Sequence, residues 1–349
     1  MTFKPTTVAD LGRFSVLIDA RSPSEFAADH VPGAINCPVL DDEERRLVGT
    51  TYVQVSAFEA RKIGAAIVAR NIAAHLDRLF RDQPKDWRPL VYCWRGGMRS
   101  GSVVTIMRMI GWDAQQLQGG YKAWRAHVIA LLAERAPQLR LRVLCGPTGS
   151  AKTSVLHALA ALGEQVLDLE DLAAHRGSVL GEMPGRPQPT QKAFETALAE
   201  RLAGFDLART VWVEAESRRI GRLAVPEPLL QRMRASPVVE IQASQDARID
   251  YLLREYAWLG ADGALLSEKL GTLREVLARD VLAQWQTWAR DGELAPLLGE
   301  LLGQHYDPLY KRSQSRDLRA LADAAVVATA DLSASGIDAL ARRILATAA

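Results

Sequence analysis

Two short stretches carry side chains of the kinds that do chemistry. The first, "VYCWRGGMRS" (Val91–Ser100), puts Cys93 at the exit of an apolar run and follows it with Arg95, Gly96, Gly97 and Arg99. A strand that ends in cysteine and turns into a helix aims backbone N–H groups at whatever sits on the sulfur. Gly96 and Gly97 permit the tight turn, while the helix N-terminus, Arg95 and Arg99 add positive charge. Reactive thiolates occupy such electropositive settings, whereas a thiol packed at a strand end is usually just a small hydrophobe. The expectation is a nucleophilic Cys93 in an anion-holding loop.

The second stretch is "VLCGPTGSAKTSVL": an apolar strand, then Gly146, Thr148, Gly149, Ser150, Ala151, Lys152 and Thr153, then a helix. This is a phosphate-loop pattern, in which backbone N–H groups curl round a diphosphate and the lysine supplies a point charge. Thr153 is placed to hold a metal ion such as Mg²⁺ if one takes part. One position departs from the usual pattern. Ala151 stands where a glycine normally precedes the lysine, and alanine is tolerated there if φ is negative. A nucleotide hydrolase would also carry an apolar strand ending in Asp for the metal. Here "VWVEAES" offers Glu214 and Glu216, and "VLDLEDL" offers Asp168, Glu170 and Asp171. Each is either a metal ligand or a carboxylate at a helix start.

The elements that must position these loops alternate between strand and helix. "FSVLIDA", "PLVYCW" and "AQQLQ" read as strands set among helices, such as the long periodic run "SAFEARKIGAAIVARNIAAHLDRLF". A second series follows Pro137, with strands in "LRLRVLC", "QVLDL", "TVWVEAES" and "PVVEIQA". From Asp246 onward the pattern is mostly helical, through "ADAAVVATADLSASGIDALARRILATAA". Alternation of this kind indicates parallel α/β sheets. The reading is two domains, residues 1–136 around the cysteine and 137–349 around the phosphate loop, the second with a helical C-terminal part.

Composition sets the outer bounds. The 349 residues suffice for two cores, and 48% hydrophobic with 24% charged residues is a soluble globular balance. No apolar run approaches the ~20 residues that span a bilayer, and the start lacks a signal-peptide core. Three scattered cysteines (Cys37, Cys93, Cys145) make neither a disulfide framework nor a metal spacing, so a reducing cytoplasm is expected. Cys37 reads as a packed thiol. A net charge of +2 does not by itself point to a nucleic acid.

Taken alone, Cys-x5-Arg also matches cysteine phosphatases, and with the phosphate loop it would suit a phosphatase fused to a small-molecule kinase. The surroundings favour another relationship. "LIDARSPSEFAADHVPGAIN" and "LQGGYKAW" resemble the rhodanese fold, through Asp19, Arg21, Glu25, His30, Pro32, Gly33, Ala34 and Asn36, then Gly119, Gly120 and Trp124. Simple rhodaneses have a loop one residue shorter, and the longer loop here could admit a tetrahedral anion. A rhodanese module that only delivers sulfur is a further possibility. With "LEDLAAHRGSVLG", "QPTQKAFE", "ESRRIG" and "YDPLYKRS", nearly the whole chain resembles bacterial tRNA 2-selenouridine synthases.

That resemblance implies a tRNA-modifying transferase that replaces sulfur by selenium in wobble 2-thiouridine. It implies S-geranylation by geranyl diphosphate, then selenation from selenophosphate with Cys93 as selenosulfide carrier. It implies tRNA and a selenophosphate-producing enzyme as partners, no membrane, and no tightly bound cofactor. His175, Arg176, Arg218 and Arg219 are further candidate contacts to diphosphate or RNA, and Tyr306, Asp307, Tyr310 and Lys311 match a late motif without an assigned role.

Overall fold

The computed structural model describes residues 6–176, 181, 185–275, 277–310 and 321–348. It divides into two compact units, residues 1–131 with 189–199 and residues 132–188 with 200–349. Both are parallel α/β structures, and the second carries the helical C-terminal part.

The first unit is built on a four-stranded parallel sheet in the order β2-β1-β3-β4, with β1 Val16–Asp19, β2 Ala34–Asn36, β3 Pro89–Tyr92 and β4 Gln115–Gln116. Every residue of β3 is buried, as befits a central parallel strand covered on both faces. Its register sets Val91 beside Ile18 and Tyr92 beside Asp19, so β1 and β3 end together and Cys93 emerges at the sheet's carboxyl edge. Helices start where the sequence offers caps. Ser22 and Glu25 form a reciprocal cap on α1 (Pro23–Ala28), and Asp41 accepts from the Glu44 N–H at 2.7 Å to begin α2 (Asp42–Gln54). Ser56 caps α3 (Ala57–His75), so the long periodic run is one helix that ends in a π-helical turn at Leu76–Phe80 and follows α2 after a break at Val55. Helices α4 (Met98–Ile110) and α5 (Gly120–Arg135) follow the cysteine loop and β4.

At the end of β1 lies a fully buried ion pair. Arg21, 1% exposed, reaches back over Asp19, 0% exposed, with Nη2 2.6 Å and Nε 3.0 Å from Oδ2. The same guanidinium donates to the Asp29 carbonyl at 2.7 Å and stacks 3.8 Å from the centre of the Tyr121 ring. Asp29 in turn accepts from the Tyr121 hydroxyl at 2.7 Å and from Thr196 at 3.2 Å. Residues 189–199 are tied into this unit at several points: Thr190 donates to the Ala28 carbonyl, Glu195 pairs with Arg125, and the Lys192 ammonium lies 5.6 Å from the Trp94 ring centre.

The second unit holds a five-stranded parallel sheet, β11-β10-β5-β7-β6, formed by β5 Arg140–Cys145, β6 Gln165–Leu167, β7 Thr210–Glu214, β10 Val238–Ala243 and β11 Ala325–Thr329. A small antiparallel hairpin, β8 Arg219–Ile220 with β9 Leu223–Ala224, follows β7. Strand β11 corrects the helical reading of the C-terminal stretch. "AVVAT" is a short β-branched edge strand that pairs residue for residue with β10, and helix resumes over Ala334–Ala348. Helix α6 (Lys152–Ala161) follows the phosphate loop, α7 (Leu169–Ala173) follows β6, and α8 (Gln191–Ala203), which belongs to the first unit as far as Ala199, and α9 (Glu227–Arg234) precede β7 and β10. Beyond α10 (Gln245–Glu255) and the short α11 (Ala257–Gly260), helices α12 (Gly263–Leu270), α13 (Arg279–Asp291) and α14 (Leu294–Leu301) pack a separate leucine-rich core around Trp285.

Removing one partner of a buried pair strands the other charge, which costs about 3–5 kcal/mol. Asp19→Ala is therefore expected to lower the stability of the first unit by about that much in chemical denaturation, and unaltered unfolding would show that Arg21 does not depend on it.

Candidate functional site

Each unit carries one anion-facing loop at the carboxyl end of its sheet, the usual place for ligands in open α/β folds. In the first, Cys93 follows β3 and its Sγ accepts from the Gly97 N–H at 3.3 Å and the Ser100 hydroxyl at 3.0 Å. Gln116 fixes the direction of these bonds. Its amide N–H groups donate to the Gly97 carbonyl at 2.9 Å and to Ser100 Oγ at 2.8 Å, leaving the Ser100 proton for the sulfur or, at 3.4 Å, the Gly97 carbonyl. Gly96 sits at φ +68°, where a Cβ would lie 2.8 Å from the Leu117 carbonyl. Gly119 and Gly120 also have positive φ, and a Cβ on Gly120 would collide with the Cys93 carbonyl. The glycine pair of "LQGGYKAW" is thus the floor on which the cysteine loop rests, held by the Tyr121 N–H donating to the Cys93 carbonyl at 2.8 Å.

The loop surrounds an open cavity of about 300 Å³ lined by Cys93, Trp94, Arg95, Gly97, Met98 and Arg99. Arg99 is clamped 2.7 Å from Glu25, which also receives Arg45 at 3.0 Å, and these cations hold the Glu25 carboxyl below its usual range despite its burial. Arg95 is exposed at the rim. Cys37 lies in the core of this unit, and burial, with the nearby Asp19 charge, pushes its thiol up to about 12. It is a packed thiol.

The phosphate loop leaves β5 after Cys145, whose thiol burial pushes up to about 11. Gly146 and Gly149 take positive φ, and a Cβ on Gly149 would press against Leu252 at 3.0 Å. Ala151 takes positive φ as well. At φ +59° and ψ 29° it keeps the left-handed geometry of the glycine it stands for, which corrects the expectation of a negative φ. The loop's course is set by its neighbours, so the residue bears the conformational cost, about 1–2 kcal/mol for an L-residue. Ser150 is fully buried beneath the loop, and Lys152 Nζ donates to the Gly146 carbonyl at 2.9 Å.

Three carboxylates gather beside Lys152. Thr153 Oγ1 lies 3.1 Å from Glu214 Oε2 and 3.2 Å from Glu170 Oε2, and Glu216 completes the group. The register that sets Glu214 beside Leu144 brings the end of β7 next to the loop, while Glu170 comes from the first turn of α7. Burial first, then repulsion from Glu170 and Glu216, drives the Glu214 carboxyl well above its ordinary range. Glu216 is pushed up to about 8 by burial and by Glu170, and burial raises Glu170 against the attraction of Lys152. Asp168 and Asp171 are elsewhere engaged: Asp168 caps α7 and meets His157 at 2.8 Å, and Asp171 pairs with Arg186 at 2.6 Å.

The loop and the carboxylates line a cavity of about 430 Å³ that also takes in Arg176, Tyr251, Tyr256 and the late-motif residues Tyr306 and Tyr310. Arg176 pairs with Glu255 at 2.9 Å. His175 is buried outside the cavity lining, and Arg218 and Arg219 are exposed at the β8–β9 hairpin, also outside it. Lys311 and residues 177–180 lie outside the described residues. A second, apolar chamber shares Thr148, Leu252, Tyr256 and Tyr306 with the first and is walled by leucines of α10, α12 and α14, among them Leu266, Leu270, Leu297 and Leu301.

Sequence reasoning missed Arg248. Buried at 5% exposure, it donates to the Thr148 carbonyl at 2.8 Å and grips Asp307 with both terminal nitrogens, at 3.0 and 2.6 Å. Asp307 therefore fastens the late motif to the phosphate loop. No local signal announces this pair, because its members stand 59 positions apart.

Two family models match the chain: a rhodanese-like domain over residues 7–127, and the tRNA 2-selenouridine synthase AAA domain over residues 139–271. Curated relatives carry the name tRNA 2-selenouridine synthase. The Cupriavidus necator protein is 38% identical over 304 residues, covering 82% of this chain and 80% of that one. The Cupriavidus pinatubonensis protein is 34% identical over 341 residues, covering 86% and 89%. A Nitrosomonas europaea relative is 37% identical over 244 residues, an alignment spanning 69% of this chain and 63% of that protein.

Ala151→Gly should relieve the left-handed strain and raise the stability of the second unit by about 1 kcal/mol, read from denaturant midpoints; a loss of stability would mean that the methyl packs favourably enough to outweigh it. Asp307→Ala should cost about 2–3 kcal/mol by stranding Arg248, with the loss largely recovered in the Asp307→Ala, Arg248→Met double variant. Strictly additive losses would show the two are uncoupled. On the two matched domains and the near-full-length relatives, the chain belongs to the tRNA 2-selenouridine synthase family.

Proposed function

We propose that the chain is a tRNA-modifying enzyme that converts wobble 2-thiouridine to 2-selenouridine by S-geranylation followed by selenation. The names borne by its relatives support tRNA as substrate and 2-selenouridine as product. The observation that carries the geranyl step is the apolar lining beside the phosphate loop, whose chamber of about 60 Å³ must widen to take ten carbons. A nucleotide would bring a polar base and ribose next to Thr148; an isoprenyl diphosphate brings a hydrocarbon chain, which suits walls of leucine.

In this reading the diphosphate lies against the amides of Gly146–Thr153 with Lys152 beside it, and the ten-carbon chain enters the chamber past Leu252 and Tyr256. The C2 sulfur of the uridine attacks C1 of the geranyl group, the C–O bond breaks, and the loop amides and Lys152 stabilise the departing diphosphate. Alkylation turns a poor sulfur leaving group into a good one. The selenium of selenophosphate, held on the Cys93 loop by N–H groups and arginines that suit a tetrahedral anion, then attacks C2 with Cys93 beside it; the C–S bond breaks to release geranylthiol, and water cleaves the Se–P bond to leave phosphate and 2-selenouridine. A selenophosphate-producing enzyme would be the supplying partner.

Lys152→Ala should slow S-geranylation roughly 30- to 1,000-fold, the effect of losing ~2–4 kcal/mol of leaving-group stabilisation. Leu298 also lines the chamber, and Leu298→Trp, which narrows it, should raise KM for geranyl diphosphate about tenfold or more while leaving inorganic pyrophosphate binding intact. Cys93→Ala should accumulate S-geranyl-2-thiouridine and form no 2-selenouridine, as seen by mass spectrometry of tRNA nucleosides. Wild-type 2-selenouridine formation by Cys93→Ala would remove Cys93 from the role. Absence of any S-geranyl product from the wild type would remove geranylation.

A further inference from the structure

We propose that Lys122 and Lys192, with Arg95 between them, form a docking surface for the phosphate backbone of an unpaired RNA strand at the mouth of the Cys93 cavity. All three side chains are exposed, and Trp94 gathers them. Arg95 follows it in the loop and lines the cavity. The Lys122 N–H donates to the Trp94 carbonyl at 3.0 Å, and the Lys192 ammonium lies 5.6 Å from the Trp94 ring centre. Lys192 reaches this place because residues 189–199 belong to the first unit, which gives the "QPTQKAFE" stretch a part in the site.

These cations are uncommitted. Among the described residues none of the three makes an ion pair, whereas Arg99 is bound to Glu25 at 2.7 Å and Arg125, which donates to the Lys192 carbonyl, is bound to Glu195. Their placement also runs against helix stability. Lys122 and Lys192 stand in the first turns of α5 and α8, where the helix dipole repels a cation and favours a carboxylate. The chain follows that rule elsewhere, with acids in the first turns of α1, α2, α3 and α7. Neither α5 nor α8 has one. Cations held where the fold disfavours them make sense when an anion from outside completes the arrangement.

The layout selects an extended anion over a compact one. Lys122 and Lys192 lie outside the cavity lining, so a tetrahedral anion seated beside Cys93 would leave them unused. A run of phosphates crossing the mouth meets one cation after another and holds a base over the cavity. Met98, 74% exposed at that mouth, offers apolar surface to such a base. An unpaired strand fits better than a duplex, whose bases are stacked away inside the helix. The inference rests on tRNA being the substrate and needs neither the geranyl nor the selenium step.

The test is fluorescence anisotropy of the full chain with a labelled tRNA transcript carrying a wobble uridine, repeated over a range of salt. Arg95→Ala, Lys122→Ala and Lys192→Ala should each lower affinity about fivefold at about 0.15 M salt and reduce the slope of log K against log salt by about 0.7–0.9. Lys85→Ala, in the exposed loop that enters β3 at the opposite edge of the sheet, should change neither. Lys192→Glu separates docking from folding. It puts a favoured carboxylate in the first turn of α8, so the denaturant midpoint should hold or rise while RNA affinity falls about tenfold or more. A lowered midpoint with unchanged affinity would make Lys192 a packing residue for Trp94 and overturn the proposal, as would wild-type salt slopes in the three alanine variants. Weaker inorganic phosphate binding in Lys122→Ala and Lys192→Ala, with RNA affinity intact, would assign these cations to a small anion instead. Each of those results leaves tRNA standing as substrate. No tRNA binding by the wild type would bring down the substrate reading together with the docking surface.

Discussion

The second unit's site hangs on Arg248. A phosphate loop works only if its N–H groups point inward, which requires its carbonyls to be tied back, and the Thr148 carbonyl is tied by the Arg248 guanidinium. The other side of that guanidinium holds Asp307. One buried cation therefore sets both the glycine-rich loop after β5 and the late-motif segment whose tyrosines wall the cavities. Desolvating an arginine is expensive unless its donors are filled, and here a bidentate carboxylate and a carbonyl fill them. The arrangement is consequently an all-or-none one: loop, α10 and late motif keep their places together.

The two loops solve one electrostatic problem with different materials. Around Cys93 the negative charge is met by N–H groups, a hydroxyl oriented by Gln116, and arginines, of which Arg99 is itself held by Glu25. Around the phosphate loop, Lys152 stands against a surplus of carboxylates that burial and mutual repulsion push toward the protonated form. The first is a setting of donors and cations round one sulfur. The second sets the loop amides beside an acidic wall whose negative charge burial and mutual repulsion suppress.

Much of this was legible in the chain. Both loops announce themselves because strand, glycine turn and helix follow one another within a dozen residues, and the caps at Ser22, Asp41 and Ser56 are local patterns of the same kind. What escaped notice depends on distance. Strand β11 exists because β10 offers an edge at the matching register; "AVVAT" embedded between alanine-rich stretches gives no such hint. The sign of φ at Ala151 follows from the path imposed by Gly146, Gly149 and the helix start, against the residue's own preference. The choice between Asp168, Glu170 and Asp171 as site carboxylates was open because three acids in four positions look alike until α7 turns Glu170 inward and leaves the other two to cap and pair.

The excursion of residues 189–199 has a consequence for how the chain is made. The first unit is closed by a segment that follows most of the second unit's leading half, so it is not finished when its own contiguous sequence has left the ribosome. Thr196 and Glu195 must emerge before Asp29 and Arg125 find their partners, and β5 and the phosphate loop appear in the interval. Synthesis from the N-terminus thus leaves the first unit incomplete while the second is begun, and a single cleavage anywhere between them separates neither as a whole body. Interleaved translation of this kind favours folding of the two units as a linked event rather than in strict succession.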